Sequence, residues 1–172
     1  MNRRWSGRTG RGETMEIALH ERTEDTVRIY FERAQQPFIR SMLPQRAKTV
    51  EEALAAYRHT RHPGASSFGR TIRADGRYVG DVWVYCIDLT DTPNAMLSYC
   101  VFEPEVSGRG IATQAVSLFL EAAAAECGLR TVGAFTYADN AASIRVLEKN
   151  GFEMQESFAE EDRLSYYFQK KL

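Results

Sequence analysis

The residue pattern predicts a mixed α/β sandwich, on two observations. Helical periodicity occupies residues 24–59 and returns only in two later segments, and apolar alternation of period two fills the stretches between. At 172 residues the chain is also long enough to bury the core of one such domain without metals or disulfides. In chain order, Glu16 to Leu19 reads as a short first strand. Glu24 to Gln35 follows as an amphipathic helix, with Val27, Tyr30, Phe31 and Ala34 on one face. Pro37 interrupts it, and Phe38 to Leu43 reads as a short apolar turn. Thr49 then N-caps a second helix, with Glu51 and Glu52 at the positive end of its dipole. Phe68–Arg73 and Tyr78–Leu89 form a hairpin about Asp75-Gly76. In its second strand Val82, Val84 and Cys86 point one way and Trp83, Tyr85 and Ile87 the other, which suits a central strand. Ala95 to Phe102 should lie beside it. Gly110–Cys127 reads as a long helix with a polar stripe at Thr113, Ser117 and Glu121, stopped by Gly128. Thr131–Tyr137 is a strand, Asn140 caps a helix to Lys149 that Gly151 ends, and Phe152–Phe158 with Arg163–Lys170 close the chain as a hairpin.

Composition narrows the function. A net charge of -1 argues against nucleic acid as a partner, since phosphate recognition needs a concentrated basic surface. The longest apolar runs fall well short of the roughly 18 residues a membrane-spanning helix needs, so no membrane partner is expected. Cys86, Cys100 and Cys127 are odd in number and sit in apolar stretches, which points to a reducing, cytoplasmic setting rather than a disulfide framework. They do not cluster with His20, His59 and His62, so no metal site is expected. Residues 1–14 carry Arg3, Arg4, Arg8 and Arg11 against Glu13, with three glycines and no apolar period, and read as a flexible basic leader to one domain over residues 15–172.

The most informative segment runs from Phe102 to Thr113, from strand through glycine loop to helix start. Gly108 and Gly110 let the backbone turn tightly, so N–H groups near Arg109 to Thr113 can converge on one anion at the positive end of a helix. A diphosphate suits such a cradle. The spacing is neither the nucleoside-triphosphatase phosphate loop nor the dinucleotide fingerprint, because position 113 is threonine. A plain glycine turn before a packed helix is the alternative.

Gly108-Arg109-Gly110-Ile111-Ala112-Thr113, followed by Asn140-Ala-Ala-Ser143 and on to Asn150-Gly151-Phe152, resembles the GNAT N-acetyltransferase family over roughly residues 16–172. The first stretch is similar to the family's Q/R-x-x-G-x-G/A motif, with Ser107 in place of Gln or Arg. The second is similar to the branch of ribosomal-protein N-terminal acetyltransferases. The resemblance implies a mostly antiparallel central sheet with helices on both faces. It implies acetyl-CoA as cosubstrate, its pyrophosphate on Ser107, Gly108, Arg109, Gly110, Ile111, Ala112 and Thr113. The pantetheine arm would lie in a V-shaped opening between the strand ending at Phe102 and the strand Thr131–Tyr137. There it would pair with backbone of Val101 and Phe102, with Pro104 at the strand end. Asn140 would hydrogen-bond the arm, and Ser143 would sit by the sulfur as proton donor.

Many family members place that donor, a tyrosine, where this chain has Leu147, so Tyr137 is the rival acid. No strong base is evident; Glu103 and Asp81 remain, beside bulk solvent, and Arg109, Arg145 and Lys149 are further candidates for cofactor contact. The implied activity is acetyl transfer to a primary amine, a protein N-terminus or a small molecule, by direct attack, in a monomer or homodimer. Two rival functions stay open: a non-catalytic acyl-CoA sensor or interaction module, and a loop that binds another phosphate compound such as a nucleotide.

Overall fold

A computed structural model describes residues 4–8, 14–103, 108–160 and 162–172, with side chains over 15–103, 108–159 and 162–172. Eight strands form one sheet: β1 (Arg4–Arg8), β2 (Thr14–Glu21), β3 (Ser67–Ala74), β4 (Arg77–Asp88), β5 (Asn94–Val101), β6 (Thr131–Tyr137), β7 (Glu153–Glu160) and β8 (Arg163–Lys171). They are ordered β1-β2-β3-β4-β5-β6-β8-β7, and every pair is antiparallel except β5 with β6. Helices α1 (Glu24–Arg33), α2 (Pro37–Met42) and α3 (Val50–His59) precede the meander. Helices α4 (Ile111–Cys127) and α5 (Ala141–Lys149) connect the later strands. The predicted mixed sheet with helices on both faces is the fold found.

Local chemistry accounts for the elements. Thr23 forms a capping box with Thr26 at the start of α1, and Thr49 accepts from the Glu52 N–H at the start of α3. The β3–β4 turn places both Asp75 (φ 49°) and Gly76 (φ 78°) in the left-handed region, which a two-residue hairpin loop of this hand requires. Gly128 (φ 66°) stops α4.

Two cores result. On one face α4 buries Ile111, Ala115, Val116, Phe119 and Ala123 against Ile17, Ile72, Val82, Val84 and Leu97. Each fully buried large side chain there contributes roughly 1.5–3 kcal/mol. On the other face Tyr30, Ala34, Ile39 and Leu43 of the α1–α2 region cover Trp83, Cys100 and Phe102. Since Leu97 and Cys100 lie on opposite faces, β5 is sandwiched as its two-sided apolar pattern requires.

Three local expectations are corrected. Arg4–Arg8, read as part of a flexible leader, pairs with Thr14–Ala18 of β2 as an edge strand, which satisfies backbone groups that β2 would otherwise leave open. Phe38–Leu43, read as a turn, belongs to a short helix, because proline is tolerated in the first helical turn, where the N–H has no partner to lose. Cys86 does not continue the inward row of Val82 and Val84: a register shift after Tyr85 gives it φ 52° and turns it to solvent.

Candidate active site

The sheet opens in the middle. β5 and β6 pair only from Asn94–Met96 against Thr131–Gly133, and beyond that point they separate. On β5 the Phe102 N–H donates to the Val79 carbonyl, so alternation along the strand turns Phe102 toward β4 and leaves the backbone groups of Leu97, Tyr99 and Val101 facing the gap. The expected opening is therefore present. Of the two residues whose backbone was expected to pair with the arm, Val101 borders the gap, and the Phe102 N–H is engaged by β4.

A cavity of about 420 Å³ fills the gap and reaches both faces of the sheet. One end is built by the glycine loop. Gly108 (φ 79°) and Gly110 (φ 81°) are left-handed, and Gly110 begins α4 with no capping side chain and no acidic residue in the first turn. The first N–H groups of a helix have no intrahelical acceptor, so among the described residues those of Ile111, Ala112 and Thr113 have neither helical partner nor side-chain cap. Gly108, Gly110, Ile111, Ala112 and Thr113 all line the cavity, with Arg145 and Lys149 of α5 adding positive charge. Arg109 is exposed beside them. Ser107 and Pro104 lie outside the described residues. Uncapped donors, flexible glycine backbone and two cations fit a diphosphate.

Deeper in, α5 presents Asn140 and Ser143, both on the cavity wall. The Asn140 Oδ1 accepts from the Ser143 N–H at 3.1 Å, which fixes the first turn. The Ser143 Oγ lies 2.8 Å from the Tyr99 hydroxyl, which also reaches the Ser143 carbonyl oxygen at 3.2 Å. Burial raises the Tyr99 phenol, only partly offset by its hydrogen bond to Ser143, so it stays protonated at neutral pH. A tyrosine hydroxyl thus reaches the centre from β5, whereas Leu147 is a buried aliphatic wall. Sequence reasoning missed Tyr99. The signal present was its place on the gap side of a two-sided strand; its distance from Ser143 depends on a pairing 44 residues long.

The rival acid is not brought into the cavity. Tyr137 stands outside its lining, its ring covered by the Arg163 guanidinium 3.7 Å from the centroid. Of the carboxylates considered as base, Asp81 is completely buried away from the cavity. There it is ion-paired to the Arg22 Nε at 3.0 Å and accepts from the Tyr78 hydroxyl at 2.7 Å. Glu103 does line the cavity, held at 3.2 Å by both oxygens against Arg77. Cys100 also lines it, but burial pushes its thiol up to about 12, so it remains unreactive at neutral pH. Among the described residues no three His, Cys, Asp or Glu side chains gather as metal ligands, and no helix is long and apolar enough to cross a membrane.

Residues 17–153 match the family model described as an acetyltransferase (GNAT) domain. The chain belongs to the GNAT acetyltransferase family. It is thereby an acetyl-CoA-dependent N-acetyltransferase. No curated protein matches the sequence significantly. Solved structures share the fold at low identity. RimJ of Mycobacterium smegmatis, in complex with CoA-disulfide, has a TM-score of 0.77 at 19% identity, over 91% of this chain and 82% of that one. Spermidine N-acetyltransferase of Vibrio cholerae, with CoA and spermine, has a TM-score of 0.79 at 15% identity, over 90% and 95%. Aminoglycoside acetyltransferase AAC(6')-Ib with coenzyme A has a TM-score of 0.73 at 18% identity, over 90% and 94%.

Proposed function

We propose that this GNAT enzyme moves the acetyl group of acetyl-CoA to a primary amine by direct attack, and that the acceptor is a protein or peptide α-amine. The single observation that carries direct transfer is the Tyr99–Ser143 hydroxyl pair on the cavity wall; the Cys100 thiol, on the opposite face of β5, is buried and protonated and offers no nucleophile for a covalent intermediate. Acetyl-CoA supplies an acyl group activated as a thioester. The chain's residues do the rest. The loop and first turn of α4 hold the diphosphate, Asn140 and the gap-facing backbone of β5 position the arm, and the Ser143 hydroxyl, backed by Tyr99, donates to the departing sulfur. The amine gives up its proton to solvent, because Glu103 is engaged by Arg77 and Asp81 is sealed in the core.

Resemblance to the ribosomal-protein branch favours a protein α-amine, and RimL, a ribosomal L7/L12 alpha-N-protein acetyltransferase, is among the structures of similar fold. Cytoplasmic residence belongs to it too, with three free cysteines suited to a reducing compartment. It asks for no partner subunit, so a monomer or a homodimer serves equally. The test is thiol release from acetyl-CoA against peptides of varied N-termini and small amines, with CoA binding measured by calorimetry. Turnover lost in Ser143→Ala with CoA binding retained supports it. CoA binding without turnover on any amine would instead favour the sensor reading.

A further inference from the structure

The cavity leaves the sheet on the face where α2 stands, with Phe38, Met42 and Phe135 at its mouth. Register carries a row of side chains outward from there. Phe135 of β6 lies opposite Tyr167 of β8, and Tyr167 lies opposite Glu156 of β7, the edge strand. Gly133 keeps the row flat, since a Cβ there would fall 2.8 Å from both the Tyr167 ring and the Met96 sulfur. Phe158, two residues beyond Glu156 on the same face, brings its ring centroid to 5.7 Å from that of Phe135, and Tyr167 stands at 5.1 Å.

The end of the row gives it its chemistry. On β7 the register shifts between Met154 and Glu156, so Glu153, opposite Gln169, and Glu156, opposite Tyr167, share this face although they are three residues apart. Without that bulge one of the two would point to the other side of the sheet. Both are exposed, and neither has an ion pair among the described residues. Lys171 stands two residues beyond Gln169 on β8, on the Glu153 side, and at the other end Arg163 is committed to Asp139. Glu156 is thus left between Tyr167 and Phe158 without a counter-charge. A carboxylate bordered by rings suits a cation, because an ammonium or guanidinium within about 6 Å of a ring centroid gains from the ring as well as from the carboxylate.

We infer that Glu156 and the Phe135–Tyr167–Phe158 floor form a subsite for a basic side chain at the second or third position of the acceptor peptide. Neighbouring strands lie about 4.8 Å apart, which sets Glu156 roughly 10 Å beyond Phe135. An extended chain advances roughly 3.3 Å per residue, so a long side chain at either position ends over that carboxylate. The floor is three strands wide, which side chains on an extended backbone cover and a single polyamine chain does not. This inference rests on the proposed α-amine transfer, and it adds the charge that the peptide carries.

The experiment compares hexapeptides that begin with alanine and differ only in Arg-Arg, Gln-Gln or Glu-Glu at the second and third positions, with spermidine alongside. Arginine brings no second amine that could itself be acetylated. Thiol release gives kcat/KM, and calorimetry gives peptide binding to the CoA-loaded protein. The Arg-Arg peptide should exceed the Gln-Gln peptide by about fivefold or more, the scale of an exposed ion pair with a ring beneath it, and the Glu-Glu peptide by more. Glu156→Gln should remove that advantage, and Glu156→Lys should invert the order of the Arg-Arg and Glu-Glu peptides, with CoA affinity unchanged in both. Equal or better use of the Gln-Gln peptide, the Glu-Glu peptide or spermidine overturns the inference, as does an advantage that survives Glu156→Gln. If no acceptor releases thiol, preferential binding of the Arg-Arg peptide that Glu156→Gln removes still supports the subsite while the transfer reading fails, and absent or equal peptide binding overturns it.

Discussion

In the proposed function the Tyr99–Ser143 pair is the smallest unit that carries the chemistry. A hydroxyl positioned by a neighbouring hydroxyl keeps its donor direction without freezing a long side chain, and the raised Tyr99 phenol cannot drift into the anionic form that would stop it donating. Tyr99→Phe should therefore lower kcat about tenfold with CoA affinity preserved, a smaller loss than Ser143→Ala, read as a kcat and KM split in the thiol-release assay. Asp81 makes a different prediction. Burial raises its carboxyl to about 6, against the opposing pull of Arg22 and Tyr78, whereas an unfolded aspartate titrates near 4. The folded protein holds that proton longer, so the stability from this group is full below about pH 4 and is lost as pH rises through about 6. Unfolding by urea across pH 4 to 7 should show the wild type losing stability relative to Asp81→Asn in that window, with a flat difference at higher pH.

Helix α2 is short, six residues, and depends on outside contacts to stay on the sheet. Arg163, at the start of β8, supplies them. It donates to the Ser41 carbonyl at 2.7 Å, touches the Met42 sulfur at 3.4 Å, grips Asp139 at 2.9 and 3.0 Å, and stacks on Tyr137. One guanidinium thus joins α2, the β6–α5 turn and the last hairpin, which is why Tyr137 serves as a platform here. Arg163→Ala should raise the acceptor KM several-fold and leave the acetyl-CoA KM nearly unchanged, since α2 walls only the acceptor end. Arg163→Lys should recover little of it, because an ammonium cannot reproduce a planar fork that bonds and stacks at once.

At the scale of the molecule, the cavity exists because the one parallel pairing, β5 with β6, stops after three residues. In the proposed function acetyl-CoA bound there touches the α4 loop, β5 and α5 together, so binding should stabilise the whole domain; CoA at about 100 times its Kd should add about 2.7 kcal/mol, seen as a rise in Tm. Much of this was legible in the residues. The glycine cradle could be read because left-handed backbone and helix starts are local requirements, met by Gly108, Gly110 and the first turn of α4 whatever surrounds them. The Asn140 cap and the Asp75-Gly76 hairpin were legible for the same reason, and alternation showed that β5 is covered on both faces. What escaped was long in range or decided by competition. Tyr99 meets Ser143, Arg163 reaches Ser41, and Arg4–Arg8 pairs with β2 only because the sheet brings distant segments together. The Phe102 N–H could not be assigned before its antiparallel partner was known. The sequence by itself determined most of the elements, the left-handed glycines before α4 and the family, since each rests on short-range backbone chemistry. Only the tertiary structure decided which hydroxyls meet, which carboxylates are sealed or neutralised, and which side chains share the acceptor face, because those follow from packing between segments far apart in the chain.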